Sequence, residues 1–467
     1  MVKNKLTKKL IPICVLSTLA LGTLAGTAIP GADAQASEKN REKQSENTKI
    51  KNVIFLIGDG MGPASTSAYR YFKDDTSTAA VERTELDKYL VGQQMTYPED
   101  PDQNITDSAS AATAMSAGIK TYNAAIGVDN DKSEVKTVLE TAKEKGKATG
   151  LVATSEITHA TPASFGAHDE NRKNMNAIAD DYYDELVNGK QKVDVLLGGG
   201  SLNFVRPDRN LTEEFKESGF SYVTNKEQLL KDKNEQVLGL FAPGGLPKMV
   251  DRTEDIPSLQ DMTSSAIQRL NKDKDGFFLM VEGSQVDWAA HDNDIVGTMS
   301  EMQDFEKAAK AAIEFAKKDK ETLVVITADH STGGVTIGAN GNYNWFADPI
   351  KAAKRTPDFM AAEIAKGADV EQTLTTYIDQ NLLSLTEEEV QSVKDAAAAK
   401  KVTDIDNAIE AIFNERSKTG WTTGGHTGED VNVYAYGPYK ERFAGQIDNT
   451  DNAKIIFDLL EKAKNKK

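Results

Sequence analysis

Asp59, Glu282 and the adjoining pair Asp329 and His330 are metal-ligand types, and each stands just beyond a short apolar run. The runs are "NVIFLI" from Asn52, "GFFLMV" from Gly276 and "TLVVIT" from Thr322. All are rich in β-branched and aromatic residues and apolar on both alternating faces, as central parallel strands are when helices cover both sides of their sheet. Strands of an open α/β sheet gather side chains at one carboxyl edge, so residues distant in sequence meet in one crevice. The pattern predicts a metalloenzyme.

Asp287 and His291 stand at i and i+4 in "EGSQVDWAAHDND". On a helix the two share a face and can grip one ion. Such a pair is also common on solvated surfaces, but this one closely follows a buried run and Glu282. His426 lies in the glycine loop "TGGHTGED", where an imidazole is either simply exposed or a free donor. With Asp287 and His291 it makes three ligands and an open position, the arrangement of catalytic zinc. Asp59, Asp329 and His330 form a second set; the last two adjoin, so they converge only at a strand-to-loop turn. Two ions about 4 Å apart stabilise the attacking and leaving oxygens of an in-line displacement at phosphorus.

A nucleophile is offered by Ser108 in "TDSASAATAMSAG", at the start of a helix of small residues. An N-cap role alone accounts for a serine there. The helix N-terminus nevertheless favours both an alkoxide and a phosphate, and a neighbouring zinc ion would activate the hydroxyl without a histidine base. Arg172 in "HDENRKNMNAI" can present a planar fork to two phosphate oxygens, or be solvated on a helix face. Nothing near His168 in sequence completes a site, so it is assigned a structural role.

These residues require a scaffold. "NVIFLIG", "GKATGLVAT", "VDVLLGGGS", "GFFLMVEG", "TLVVITADH" and "NVYAYG" read as strands. Between and after them, "DSASAATAMSAGIKT", "SEVKTVLETAKEK", "LQDMTSSAIQRL", "IVGTMSEMQDFEKAAKAAIEFAKKD" and "NAKIIFDLLEKAKNK" read as helices. The alternation predicts an α/β fold, a doubly wound and mostly parallel central sheet flanked by helices. Residues 340–420 break the rhythm with extra helical segments. They are expected to be an insertion near the active-site edge that shapes access, forms an interface or only protects the core.

With 467 residues, 39% hydrophobic and 27% charged, the chain has the make-up of a soluble globule. A net charge of -17 argues against a nucleic-acid partner. Lys3, Lys5, Lys8 and Lys9 precede an apolar stretch from Leu10 to about Ile29 and the small residues "GADAQAS". Residues 1–36 are therefore expected to be a signal peptide cleaved after Ala34 or Ala36, placing the protein outside the cell or in its envelope. Gly22, Gly26 and Pro30 weaken the alternative of a membrane anchor, so no stable membrane insertion is expected after cleavage. Cys14, the sole cysteine, lies in this segment, which leaves the exported chain without disulfides. Residues 37–48 read as a flexible leader and 49–467 as the α/β domain.

The segments "LIGDGMG", "TDSASAATA", "ITHATPASFGAHDENR", "LLGGGS", "PSLQDMT", "FFLMVEGSQVDWAAH", "TADHSTGG" and "GGHTGEDV" resemble, in order and spacing, the bacterial alkaline phosphatase family. The likeness runs from about Asn52 to the C-terminus. It implies a phosphomonoesterase of broad specificity that acts through a phosphoserine, with two zinc ions and a third, usually magnesium, site. By resemblance, Asp287, His291 and His426 hold the first zinc, and Asp59, Asp329 and His330 the second beside Ser108. Arg172 clamps the phosphate, while Thr161 and Glu282, with Asp59 shared, line the third site. The place of His159 beside that site is Asp in some members and His in others; an imidazole favours zinc or cobalt over magnesium. The place of Trp288 varies among Lys, His and Trp, and Trp removes a cation from the phosphate's surroundings. Related enzymes are often homodimers. Rival readings are a phosphodiesterase of the same superfamily, a noncatalytic exported phosphate- or metal-binding protein, and an adhesin carried by the insertion. A sulfatase would need a C/S-x-P-x-R setting, which "DSASA" lacks.

Overall fold

The computed structural model describes residues 50–462. The predicted signal peptide and leader, with Cys14, lie outside them. Ten strands form the main sheet: β1 (Asn52–Gly58), β2 (Leu90–Met95), β3 (Ala148–Glu156), β4 (Val195–Gly199), β5 (Ser221–Val223), β6 (Val237–Leu240), β7 (Phe277–Gly283), β8 (Thr322–Thr327), β9 (Val431–Tyr436) and β10 (Gly445–Asp448). Their order across the sheet is β10-β2-β9-β8-β1-β7-β3-β4-β6-β5. β9 runs antiparallel to β8 and β2, and the other pairings are parallel. The doubly wound, mostly parallel sheet is thus as expected.

The apolar runs explain why it forms. Every residue of β1, β7 and β8 is buried, and alternate side chains enter two separate cores. Ile54 and Leu56 join one core, with Leu279, Val281, Val324 and Ile326. Val53, Phe55 and Ile57 join the other, with Phe278, Met280, Leu323 and Val325. A strand covered on both faces cannot show polar alternation, which is why these segments read as continuous apolar runs.

The helices that bear on the site are α1 (Ser108–Ala117), α2 (Ala160–Gly166), α3 (Gln285–His291), α4 (Ile295–Asp319), α5 (Pro357–Ala365) and α6 (Val402–Ser417). The alanines and serines of α1 let it lie close against α2 and the C-terminal helix Asn449–Lys462. Gly118, in the left-handed region at φ +76°, ends α1 without strain.

Residues 340–420 are helical as expected, but they do not form a separate cap. Ile350, Met360, Leu374, Val393, Ile409 and Phe413 belong to the same core as Ile54 and Leu56. The segment therefore extends the hydrophobic layer around α4, which α6 touches directly.

Candidate metal centre and active site

β1 ends at Gly58 and leaves Asp59 fully buried, with neither carboxylate oxygen hydrogen-bonded. Gly60, at φ +67°, is required by crowding: a Cβ there would lie 2.8 Å from the Asp287 Cα and from Thr332 Oγ1. β8 stops at Thr327, so Asp329 and His330 lie on the turn beyond it and converge as the sequence required. Asp329 Oδ1 accepts from the backbone N–H groups of Gly60 at 3.1 Å and His330 at 2.9 Å.

His330 Nε2 is the meeting point of three groups. Asp329 Oδ2 is 3.2 Å away, Asp59 Oδ1 3.4 Å and Ser108 Oγ 3.2 Å. Its other nitrogen, Nδ1, lies 3.1 Å from Thr332 Oγ1, which donates to Asp287 Oδ1 at 2.5 Å. The threonine has one proton to give, so Nδ1–H must be the donor on its other side. Burial disfavours a charged ring, but Asp329 and Asp287 outweigh it and raise His330 above its ordinary value, so Nε2, facing two carboxylates, calls for a proton or a metal ion.

α3 presents Asp287 and His291 on one face, as their spacing predicts, with His291 Nε2 3.2 Å from Asp287 Oδ2. His426 Nε2 lies 3.1 Å from His291 Nε2 and 3.7 Å from Asp287 Oδ1. The Nδ1 atoms are committed elsewhere, to the Gly424 carbonyl at 2.7 Å from His291 and to the Thr106 carbonyl at 2.9 Å from His426. A carbonyl only accepts, so each Nδ1 carries a proton, and the two Nε2 atoms face one another beside a carboxylate. Such outer hydrogen bonds orient metal-binding imidazoles. A cation between these atoms satisfies all three.

The electrostatics agree. The hydrogen bond to Asp287 raises His291 to about 9. Burial resists ionisation of Asp287, yet the bond from His291 and the nearby imidazoles hold it below the usual carboxylate range. Burial, then the His330 charge, lowers His426 to about 4. Burial and the charges of Asp329, Asp287 and Glu282 push Asp59 well above its ordinary value. So many buried acids within one pocket call for positive charge.

A third cluster joins Asp59, His159 and Glu282, whose ligand atoms lie within 4.8 Å of one another. His159 Nδ1, Thr161 Oγ1 and Glu282 Oε1 are buried without a hydrogen-bond partner. Burial raises Glu282 to about 7, while burial and then Arg172 lower His159 to about 3, so the ring is neutral. The His159 ring meets Trp288 edge-on at 5.6 Å.

Ser108 is not the N-cap of α1. Asp107 holds that place, its side chain accepting from Ser110 N–H at 2.9 Å, which leaves the Ser108 hydroxyl to face His330. Arg172 donates to Asp107 Oδ2 at 3.0 Å and lies 3.1 Å from His159 Nε2. All the predicted site residues therefore share one crevice at the carboxyl edge of β1, β3, β7 and β8. Thr332, which joins the two ligand sets, went unread in the sequence; its only signal is its place just after His330.

The expectation for His168 needs amending. Its Nδ1 lies 3.4 Å from Glu185 Oε2, and its Nε2 lies 3.2 Å from the Val135 carbonyl and 3.7 Å from Glu140 Oε2. Lys192 pairs with Glu185 and stands 3.9 Å from Glu140 Oε1. An ammonium already fills the cationic place, so the cluster is a buried ion network and the structural role stands.

Residues 50–462 match the family model described as Alkaline phosphatase. Alkaline phosphatase 3 of Bacillus subtilis (strain 168) is 72% identical over 458 residues, covering 98% of each chain. Among solved structures, a cold-active alkaline phosphatase from the psychrophile Shewanella sp. superposes with a TM-score of 0.82 at 40% identity, over 88% of this chain and 99% of that one. A histidine-to-glutamate mutant of the TAB5 alkaline phosphatase, with magnesium bound in its M3 site, gives 0.64 at 32% identity over 89% and 99%.

Proposed function

Because the chain belongs to the alkaline phosphatase family, and so is a phosphoric monoester hydrolase, we propose that Ser108 is its nucleophile and that the three clusters around it are its metal sites. Asp287, His291 and His426 would hold one zinc ion, and Asp59, Asp329 and His330 a second. Zinc held there would supply activation of the serine oxygen and neutralisation of charge on the leaving alkoxide. The facing Nε2 atoms of His291 and His426 support the first assignment, and the two carboxylates around His330 Nε2 the second.

The chain's own groups do the rest. The Arg172 fork binds two phosphoryl oxygens and turns the phosphorus toward Ser108 Oγ. Ser108 attacks in line as the alcohol departs, leaving a phosphoserine. Water then attacks the same phosphorus, returning orthophosphate and the free hydroxyl. Recognition of the phosphoryl group alone makes for broad specificity.

The third ion rests on Asp59, Glu282 and Thr161 with His159 beside them. Magnesium occupies the M3 site of the TAB5 mutant. Here the neutral His159 imidazole tilts the preference toward zinc or cobalt. We also take the protein to be exported by residues 1–36. No helix among the described residues is long and apolar enough to cross a membrane.

The observation that carries the mechanism is the 3.2 Å approach of Ser108 Oγ to His330 Nε2 within the ligand cluster. Acid quenching during turnover of a nitrophenyl phosphate should trap phosphate on Ser108, located by peptide mass spectrometry. Ser108→Ala should lose both the adduct and turnover while retaining zinc. Turnover surviving in Ser108→Ala would refute the assignment, and preference for the bis-nitrophenyl diester would favour a phosphodiesterase.

A further inference from the structure

The insertion hangs on a ribbon that joins the two ligand sets. Just beyond His330, Ser331 and Thr332 pair antiparallel with Thr427 and His426, and further along the same two segments Thr336 and Ile337 pair with Gly420 and Thr419. Residues 338–418 therefore close the far end of a ribbon whose near end carries His330 and His426. Gly333 knits its middle, donating to the Gly425 carbonyl at 2.9 Å and accepting from Thr422 N–H at 2.9 Å. A Cβ on Gly333 would come within 2.6 Å of the Trp421 ring, so the indole lies directly on that backbone.

A relay of amides runs from α6 to both imidazoles of the first ligand set. Asn414, in the last turn of α6, accepts the Trp421 indole N–H at 2.9 Å and donates to the Asn293 carbonyl at 3.0 Å. Its partners fix its orientation: turned over, the amide would set donor against donor and acceptor against acceptor. Asn293 stands two residues beyond α3 at φ +59°, a left-handed conformation that asparagine tolerates. Its amide donates to the carbonyls of Ala290 at 3.0 Å and Thr423 at 2.9 Å. The next carbonyl, that of Gly424, takes the Nδ1 proton of His291 at 2.7 Å. One asparagine of the insertion thus grips the segment after His291 and the segment before His426, whose Nε2 atoms lie 3.1 Å apart.

We propose that Asn414 is a positioning residue for the first metal site: with Trp421 and Asn293 it fixes the separation of His291 and His426, and through it the insertion sets how tightly that site holds zinc. The inference rests on Asp287, His291 and His426 being the ligands. The loop that carries His426 cannot hold its own shape, because Thr422, Thr423 and Gly424 are exposed and two successive glycines leave the backbone loose. Order imposed by Asn414 before the ion arrives is entropy that binding need not spend. In its absence the three ligands remain, so the ion still binds, but less tightly.

Competition for zinc between the full-length protein and a chromophoric chelator tests this. His426→Ala should lose one tightly held zinc equivalent; if it keeps the wild-type complement, the ligand assignment itself fails. Given that loss, Asn414→Ala should retain the equivalent but bind it about tenfold more weakly, as removal of an outer hydrogen-bonding partner does. Its kcat should fall at limiting zinc with KM unchanged, and return to the wild-type value in excess zinc. Trp421→Phe keeps an aromatic ring on Gly333 and removes the indole N–H, so it should shift the competition in the same direction and decides the matter where Asn414→Ala folds poorly. Competition curves that superimpose on the wild type would overturn the proposal, as would a loss of turnover that excess zinc does not restore.

Discussion

Arg172 Nη1 donates to Asp107 Oδ2 at 3.0 Å, so the guanidinium facing the nucleophile is held by the residue that caps the nucleophile's own helix. Asp107 Oδ2 also accepts from Ala124 N–H at 3.0 Å, which ties the loop under Arg172 to α1. Asp107→Ala should thus act twice. Loss of the cap lowers stability by about 1 kcal/mol. Loss of a charge-assisted hydrogen bond frees the guanidinium, and KM and the inhibition constant of inorganic phosphate should both rise by about tenfold. Steady-state kinetics with phosphate as inhibitor checks this; a fall in the inhibition constant would mean that the negative charge of Asp107 matters more than its grip.

Removal of metal should cost stability as well as activity. Asp59, Glu282, Asp287 and Asp329 are all buried in one pocket, and Asp59 is driven up by its burial and by the other three. Without cations these groups either repel or take up protons. Chelation is expected to abolish monoester turnover and lower the melting temperature, and excess zinc to restore both, because ligands that bind only the folded state stabilise it by mass action. A melting temperature indifferent to chelation would show that the clusters bind no ion.

The parts of the fold with buried strands were legible in the sequence. β1, β7 and β8 are covered on both faces, and their ends named Asp59, Glu282, Asp329 and His330 without further help. β2, β5, β6 and β10 were not anticipated. β2 is largely uncovered and carries Gly92, Gln93 and Gln94, so no apolar rhythm marks it; β5, β6 and β10 have four residues or fewer. His168 was read as completing no site because Glu140 and Glu185 reach it only through tertiary packing. Thr332 escaped notice for a different reason: a threonine that joins two ligand sets looks like any other threonine. The insertion was recognised by its break in rhythm, yet the sequence could not say that Ile409 and Phe413 share a core with Leu56.

Trp288 offers a direct test of phosphate affinity. Its ring meets that of His159 edge-on at 5.6 Å and abuts Gly245, where a Cβ would come within 2.5 Å of the indole. An indole brings no charge to the phosphate. In Trp288→Lys an ammonium a few ångströms from the bound anion would contribute about 1 to 4 kcal/mol, depending on local screening. Inhibition by inorganic phosphate should tighten by about fivefold or more, and kcat should fall if product departure limits turnover. Unchanged inhibition would refute the idea.

His168 predicts a pH dependence of stability away from the metals. Burial disfavours its charged form, but the bond to Glu185 and the charge of Glu140 outweigh that, and its pKa is raised above 6.5 despite Lys192 nearby. Asp181, which accepts from the His168 backbone N–H, is raised to about 6 by burial and by Glu185, so it adds little opposing charge at low pH. A folded-state pKa above the unfolded one means that the native protein binds the extra proton. The resulting stability is complete below about pH 6.5 and is lost as pH rises through the folded value. His168→Gln removes that contribution. The gap in melting temperature between the zinc-loaded wild type and the variant should therefore be widest near pH 6 and narrow as pH rises through the folded value. A gap that stays constant across that range would show that His168 acts only through packing and neutral hydrogen bonds.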